Sequence, residues 1–266
     1  MSDVFRQPAA FFAHGSPMVA IEEDEFTRSL RDFGKSLPRP RAIVVVSAHW
    51  EAPGPIRVTL SERPPLIYDF SGFPEELYAV RYDCPGDRAL ALEVGTLLSE
   101  AGQPTAHSAE RGLDHGVWVP LRHAFPAADV PVVEVSLPTT RSPEQVAAMG
   151  KALAPLRERG VLLVGSGGIV HNLRRVRFDD KRAAAEAWAK DFDLWVRDRL
   201  QALDVDGLSG YPKHAPNAAL AVPTSEHFDP VFFVLGAALP GDRVRMLFEG
   251  FHHGTLSMRS FSLDHR

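Results

Sequence analysis

The stretch AIVVVSAHWEA, Ala42 to Ala52, constrains this chain more than any other. Ile43 to Ser47 is of strand length and carries no charge, which reads as a buried strand. The run then delivers His49, Trp50 and Glu51. A second apolar run, Ala9–Ala13, ends the same way, on His14 in AAFFAHGSP. Two strands that both finish on an imidazole raise the question of a metal ion between them.

Further strand-length apolar runs lie at Ile56–Leu60, Val130–Ser136 and Val161–Gly165. Two more, Val244–Phe248 and Leu256–Leu263, alternate loosely. Helical patterns fall between them at Glu22–Gly34, Asp87–Ala101, Ser142–Arg159, Lys181–Leu203 and Pro230–Leu239. Ser142, Pro143 and Glu144 supply N-cap and first-turn chemistry. Alternating strands and helices predict an α/β fold with a central mixed, partly parallel sheet flanked by helices. Ligands of such sheets gather where strands end and loops begin, which is where His14 and His49 lie. Pro and Gly are spread evenly, without a linker or repeat, so residues 1–266 read as a single domain.

At 266 residues and 45% hydrophobic content, the chain can bury a full core without staples. Its formal net charge is −5 and it has no basic run, which argues against nucleic acid as a partner. The single cysteine, Cys84, has no internal disulfide partner, reads as a small structural residue, and fits a reducing compartment. No signal-peptide pattern opens the sequence, and no apolar run reaches the roughly 20 residues that span a bilayer. The expected location is cytoplasmic, with no membrane partner.

Eleven histidines need sorting. His107, His123, His214, His252, His253 and His265 have no surroundings that single them out. His14 precedes a Gly-Ser-Pro turn that fixes its exit angle. His49 has Ser47 and Glu51 nearby as acceptors for its second ring N–H, the usual way a ligating imidazole is oriented. His115, in GLDHGVW, reads as a loop residue suited to proton donation or to hydrogen bonding a substrate. His171, in VLLVGSGGIVHNL, follows a glycine-rich turn that matches neither a dinucleotide fingerprint nor a P-loop, and those glycines would let backbone pass close to a ligand. His227, in PTSEHFDP, has Glu226 beside it, and either suits iron or zinc. Each of the five also has an ordinary reading as a turn, strand-end or helix-entry residue, and no spacing is a local metal signature. The recurrence of histidine beside glycine at several strand ends is what favours a site.

Six blocks in order, HGSP at His14, SAHWE at Ser47–Glu51, YDFSGFPEELYAVRYDCPG at Tyr68–Gly86, GLDHGVWVPL at Gly112–Leu121, GSGGIVHNL at Gly165–Leu173 and EHFDP at Glu226–Pro230, cover nearly the whole chain. Together they resemble the class III extradiol ring-cleavage dioxygenases. Within that family they resemble the DOPA-dioxygenase type, related to the catalytic subunit of protocatechuate 4,5-dioxygenase. The resemblance implies a non-haem metal, usually Fe(II) and in some members zinc, held by His14, His49 and His227, with His171 close by as a free base or a fourth ligand. Better-known relatives complete the site with a glutamate, so Glu226 stands as the alternative to His227.

The implied reaction inserts both atoms of O₂ beside the diol of a catechol and opens the ring to a muconic semialdehyde. His171 would take a catechol proton, and His115 would protonate the departing oxygen or hold the substrate. Tyr68, Phe70, Phe73 and Tyr78 would stack on the ring, and Arg81 would pair with a substrate carboxylate. Two other functions use the same residues: a zinc hydrolase with Glu226 or His171 as base, and a binding homologue without chemistry. The sequence leaves the particular catechol and the oligomeric state open, an isologous homodimer being the common default.

Overall fold

Runs of apolar residues long enough to be buried on both faces form the middle of one sheet. In this computed structural model, which describes residues 5–265, the strands are β1 (Ala9–Ala13), β2 (Ala42–Ala52), β3 (Ile56–Thr59), β4 (Thr105–Ser108), β5 (Val132–Pro138), β6 (Val161–Gly167), β7 (Asp242–Phe248), β8 (Phe251–His252), β9 (Leu256–Ser257) and β10 (Ser260–His265). Eight of them make a mixed sheet in the order β4-β3-β5-β2-β6-β1-β10-β7, while β8 and β9 pair separately. The central pairs β5–β2, β2–β6 and β6–β1 are parallel, so their C-terminal ends share one edge. The chain is a single-domain α/β fold, as its alternating pattern implies.

The helices are α1 (Glu25–Ser36), α2 (Glu75–Tyr78), α3 (Arg88–Glu100), α4 (His115–Ala124), α5 (Pro143–Leu153), α6 (Ala187–Ala202), α7 (Val205–Ser209), α8 (Tyr211–His214), α9 (Ala218–Ala221) and α10 (Pro230–Gly236). Side chains of period two along the strands divide the core into two layers. Phe11, Val44, Val46, Val133 and Leu163 pack under Leu90, Val94, Val146, Met149, Phe192 and Phe232 on one face. Phe12, Ile43, Val45, Leu162 and Val164 pack under Phe26, Leu30, Phe33, Val117, Trp118 and Leu121 on the other. None of the described helices is long and apolar enough to cross a membrane.

Several expected boundaries move, for local reasons. The helix expected from Lys181 begins at Ala187, because the preceding segment binds the 253–254 turn instead: His253 N–H donates to Lys181 O, and Glu186 N–H to Gly254 O. The helix expected from Glu22 begins at Glu25, where Asp24 and Thr27 form a reciprocal capping box. Ser142 and Gln145 form the same box on α5, beside Pro143. The run at Leu256–Leu263 divides into β9 and β10. His115, expected in a loop, opens α4, a helix of which every residue but Arg122 is buried. Cys84 is buried, and burial pushes its thiol up to about 12, which fits a structural residue.

Arg157, fully buried, closes the far end of the sheet. Its Nε donates to Gln7 O (2.9 Å), and its two terminal nitrogens donate to Ala237 O (2.7 Å), Leu263 O (2.9 Å) and both oxygens of Asp242 (2.5 and 3.2 Å). All five donors of the guanidinium find acceptors. Removing the carboxylate leaves an uncompensated buried cation, so Asp242→Ala is expected to cost about 3–5 kcal/mol. Urea unfolding monitored by circular dichroism measures this; a loss under 1 kcal/mol would mean the pair is dispensable.

Candidate functional site

The parallel strands bring five histidines to one edge of the sheet. His14 follows β1 directly, and its backbone N–H donates to Gly167 O at the end of β6. His49 lies in the stretch of β2 where pairing with β5 shifts between Val46 and Glu51, an irregularity of the kind that re-aims a side chain. His115 is the first residue of α4. His227 precedes α10, and its carbonyl accepts from Gly168 N–H at 2.8 Å. Ring centroids of His14 lie 4.8, 5.4 and 5.2 Å from those of His49, His115 and His227. His49 and His115 are 4.1 Å apart. His171 stacks flat on His227, with centroids 3.4 Å apart and an interplanar angle of 7°.

The glycines of GSGG act differently from the expectation. They do not clear a path for a ligand; they admit the chain's own backbone. A Cβ at Gly165 would strike Pro230 O, and one at Gly167 would strike His227 O. Both glycines are in β6, which runs two residues further than its apolar pattern suggests. This close approach seats the His227 segment on the strand end.

His14 and His227 have Nδ1 in hydrogen bonds, and His49 Nδ1 faces a carboxylate. His14 Nδ1 lies 3.1 Å from Ser166 Oγ, and Ser166 Oγ donates its proton to Gly116 O. The hydroxyl therefore accepts, and His14 Nδ1 donates. His227 Nδ1 lies 3.0 Å from Glu226 Oε1, which also accepts from Thr224 Oγ1. His49 Nδ1 lies 3.3 Å from Asp69 Oδ2. Ser47 and Glu51, the expected partners of His49, are engaged elsewhere. Ser47 Oγ accepts from the His49 backbone N–H and donates to buried Asp114, and Glu51 pairs with Arg141 at 2.6 Å. Asp69, unremarked in the sequence, also accepts from His115 through Nδ1 (2.9 Å) and the backbone N–H (3.0 Å).

Burial opposes the charge on both carboxylates, yet hydrogen bonds from the histidines prevail. Asp69 is held at about 2, chiefly through His115, and Glu226 at about 2, chiefly through His227. Both are anions and so only accept. His14, His49 and His171 are held neutral. Burial, followed by the neighbouring imidazoles, drives His14 well below its ordinary value. Burial and His115 bring His49 to about 2, and burial and His227 bring His171 to about 3.

A neutral ring that donates from Nδ1 leaves Nε2 as a bare lone pair. The Nε2 atoms of His14 and His49 nevertheless face each other at 3.0 Å, and His227 Nε2 is buried without a partner. One ring nitrogen from each of the three lies within 4.8 Å of the others. Three convergent lone pairs need a cation, and nitrogens about 3 Å apart suit a metal at about 2.1 Å from each. The residues present fit a divalent metal.

The expected pocket residues divide. Phe70 approaches His115, with centroids 5.6 Å apart, and Phe73 packs behind Phe70 at 5.4 Å. Tyr68 packs on Trp118 (5.6 Å), and its hydroxyl is consumed internally, donating to Val80 O and accepting from Arg81. Arg81 is exposed on the outer side of this cluster, also donating to the Tyr78 and Val80 carbonyls.

An α/β sheet whose strand ends converge three imidazoles within metal-binding range, with two more alongside, is the framework of a metal-dependent enzyme. The family described as "Catalytic LigB subunit of aromatic ring-opening dioxygenase" matches residues 8–260, and the chain belongs to it. It is 40% identical over 261 residues to a protein of Escherichia coli (strain K12) named "4,5-DOPA dioxygenase extradiol", covering 97% of this chain and 95% of that one. A protein of the same name from Beta vulgaris is 36% identical over 258 residues, with 94% of each covered. The crystal structure of an uncharacterized protein from Escherichia coli K12 superposes with a TM-score of 0.84 at 36% identity, covering 97% of this chain and all of that one.

Gly167→Ala is expected to destabilise the fold by about 1–3 kcal/mol, since its Cβ meets backbone rather than a flexible side chain. Gly168→Ala, whose Cβ makes only ordinary contacts with the His171 side chain (3.6 Å) and Val170 O (3.9 Å), should cost far less. Paired urea titrations of the two variants check this, and equal losses would contradict the close-approach reading.

Proposed function

We propose that residues 1–266 form one catalytic domain that opens a catechol ring with O₂ at a metal held by His14, His49 and His227. The enzyme is an aromatic ring-opening dioxygenase by family. The observation that carries the metal assignment is the pair of unprotonated Nε2 atoms facing each other at 3.0 Å beside an unpartnered His227 Nε2. We take the metal to be Fe(II): three protein ligands leave sites for both catechol oxygens and O₂. Glu226 is assigned to orienting His227 from behind, through Nδ1, rather than to the metal itself. The substrate is a DOPA-like catechol, in keeping with the names of the relatives, and the product a muconic semialdehyde. A reducing, cytoplasmic setting suits the lone buried Cys84 and ferrous iron.

When bound, iron supplies the site at which catecholate oxygens and O₂ meet and share electron density. The remaining tasks fall to side chains. His171, neutral and stacked on His227, accepts a catechol hydroxyl proton; the entering catecholate charge offsets the imidazole neighbours that hold His171 low, and so favours its protonated form. His115 keeps its Nδ1–H on Asp69, so it would deliver a proton to the departing oxygen from Nε2 only as the imidazolium, returning to the neutral Nδ1–H form afterwards. Phe70 and Phe73 offer aromatic faces beside His115, and Tyr68 supports them. Arg81, at the rim, would meet a carboxylate on the substrate's side chain if it released one of its carbonyl contacts.

Anaerobic loading with Fe(II) and addition of a catechol panel should give one O₂ consumed per ring and a yellow ring-opened product. His171→Ala and His115→Ala are each expected to lower turnover about 10²–10⁴-fold while iron content stays near that of the parent. His14→Ala, His49→Ala and His227→Ala should each lose the metal. An iron-loaded chain that consumes no O₂ with any catechol would refute the proposal.

A further inference from the structure

The carboxylate of Asp69 stands between two histidines that do different jobs. Oδ1 accepts both the ring Nδ1–H of His115 (2.9 Å) and its backbone N–H (3.0 Å). Oδ2 faces His49 Nδ1 at 3.3 Å. Glu226, the other carboxylate at the site, pairs with His227 alone, although it lies within 4.8 Å of His171 as well.

The fold builds this placement independently of the histidines. Leu66 bridges Leu113, with Ile67 N–H donating to Leu113 O and Leu113 N–H donating to Pro65 O, both at 2.8 Å. Trp118 Nε1 donates to Ile67 O at 3.1 Å. The chain before Asp69 is therefore stitched to the chain before His115, on both sides of the α4 start. With its segment pinned, the carboxylate reaches the first turn of α4 and the irregular part of β2 together.

We propose that Asp69 is a positioning residue that couples the metal to the proton donor: one carboxylate fixes the tautomer and aim of both His49 and His115, turning both Nε2 atoms inward. The proposal rests on the dioxygenase reading only for the role of His115; the hold on His49 stands on geometry alone. An acceptor on Nδ1 keeps the His49 Nε2 lone pair on the metal side and raises its donor strength. The same acceptor leaves His115 Nε2 as the only ring position free to serve the substrate. A shift of either ring is transmitted to the other through a rigid group less than 4 Å from both.

Asp69→Asn keeps the volume but offers one acceptor where two are needed. Zn(II) affinity, measured by competition with a chromophoric chelator, is expected to fall about 10–100-fold. Ring ¹⁵N shifts of the metal-free chain should report mixed tautomers at both His49 and His115. With Fe(II) saturating, kcat for catechol-dependent O₂ uptake should fall at least about tenfold, within the range for a misdirected acid or base, while KM changes little. In the His115→Ala background, Asp69→Asn should lower kcat by a smaller factor than it does in the parent and still weaken Zn(II), since one of its two clients is gone. Asp69→Glu should restore part of the loss.

Unchanged Zn(II) affinity and unchanged tautomers in Asp69→Asn would overturn the proposal. So would complete loss of Zn(II) together with loss of a ligand from the Co(II) spectrum, which would make Asp69 a ligand. Multiplicative kcat effects in the double variant would also overturn it. If the parent consumes no O₂ at all, the dioxygenase reading fails by itself, and the Zn(II) and ¹⁵N measurements still decide whether Asp69 holds both rings. Thermal melts of each variant confirm that the fold survives.

Discussion

The structure depends on keeping protons off three ring nitrogens that lie in contact range. Imidazoles in water would take protons or turn away from one another. Here each has an oxygen behind its opposite ring nitrogen: Ser166 and Glu226 hydrogen-bond to His14 and His227, and the Asp69 carboxylate lies 3.3 Å from His49 Nδ1. The acceptors matter as much as the histidines, since exchanging a single tautomer would put a proton where a metal has to be. Desolvation reinforces the arrangement, because charging any of these rings means placing a cation in a buried site crowded by its neighbours.

Holding backbone this close requires residues without side chains and ties that span the sheet. Gly165 and Gly167 let the His227 segment lie on β6, and Gly116 leaves room for Ser47 and His49. Arg141 spans the gap from the other side. Its guanidinium binds Glu51, two residues after His49, and Asp229, two residues after His227, at 2.6 and 2.5 Å, and it also donates to Pro138 O. Two segments 178 positions apart in the chain are thus set at a fixed spacing by one nearly buried cation. Such a pair adds little net stability, but it fixes geometry, and geometry is what an Nε2–Nε2 separation of 3.0 Å demands.

How much of this the sequence disclosed follows from the range of the forces involved. Strands β1, β2 and β6 were legible because continuous burial leaves a continuous apolar run. His14 and His49 stood out because they end two of those runs, whereas His115, His171 and His227 stood out only by their neighbours, glycine or Glu226. Strand β4, Thr105–Ser108, was not, since it is a polar edge strand defined by its pairing to β3 alone. Helix α4 was hidden by burial all round. Asp69 was invisible for a different reason: it lies in irregular chain, carries no local pattern, and acquires meaning only when Leu66 and Leu113 are paired. The partner of His49 was sought among its neighbours in sequence, whereas the bulge in β2 directs its ring across the sheet edge instead.

Charge completes the argument for what the site is built to hold. The carboxylates beside the candidate ligands, Asp69 and Glu226, are both held as anions at about 2. Two negative charges behind three imidazoles suit a divalent cation in front of them. Glu226 meets the Nδ1 of the adjacent His227, so its charge stands behind that imidazole rather than in its place.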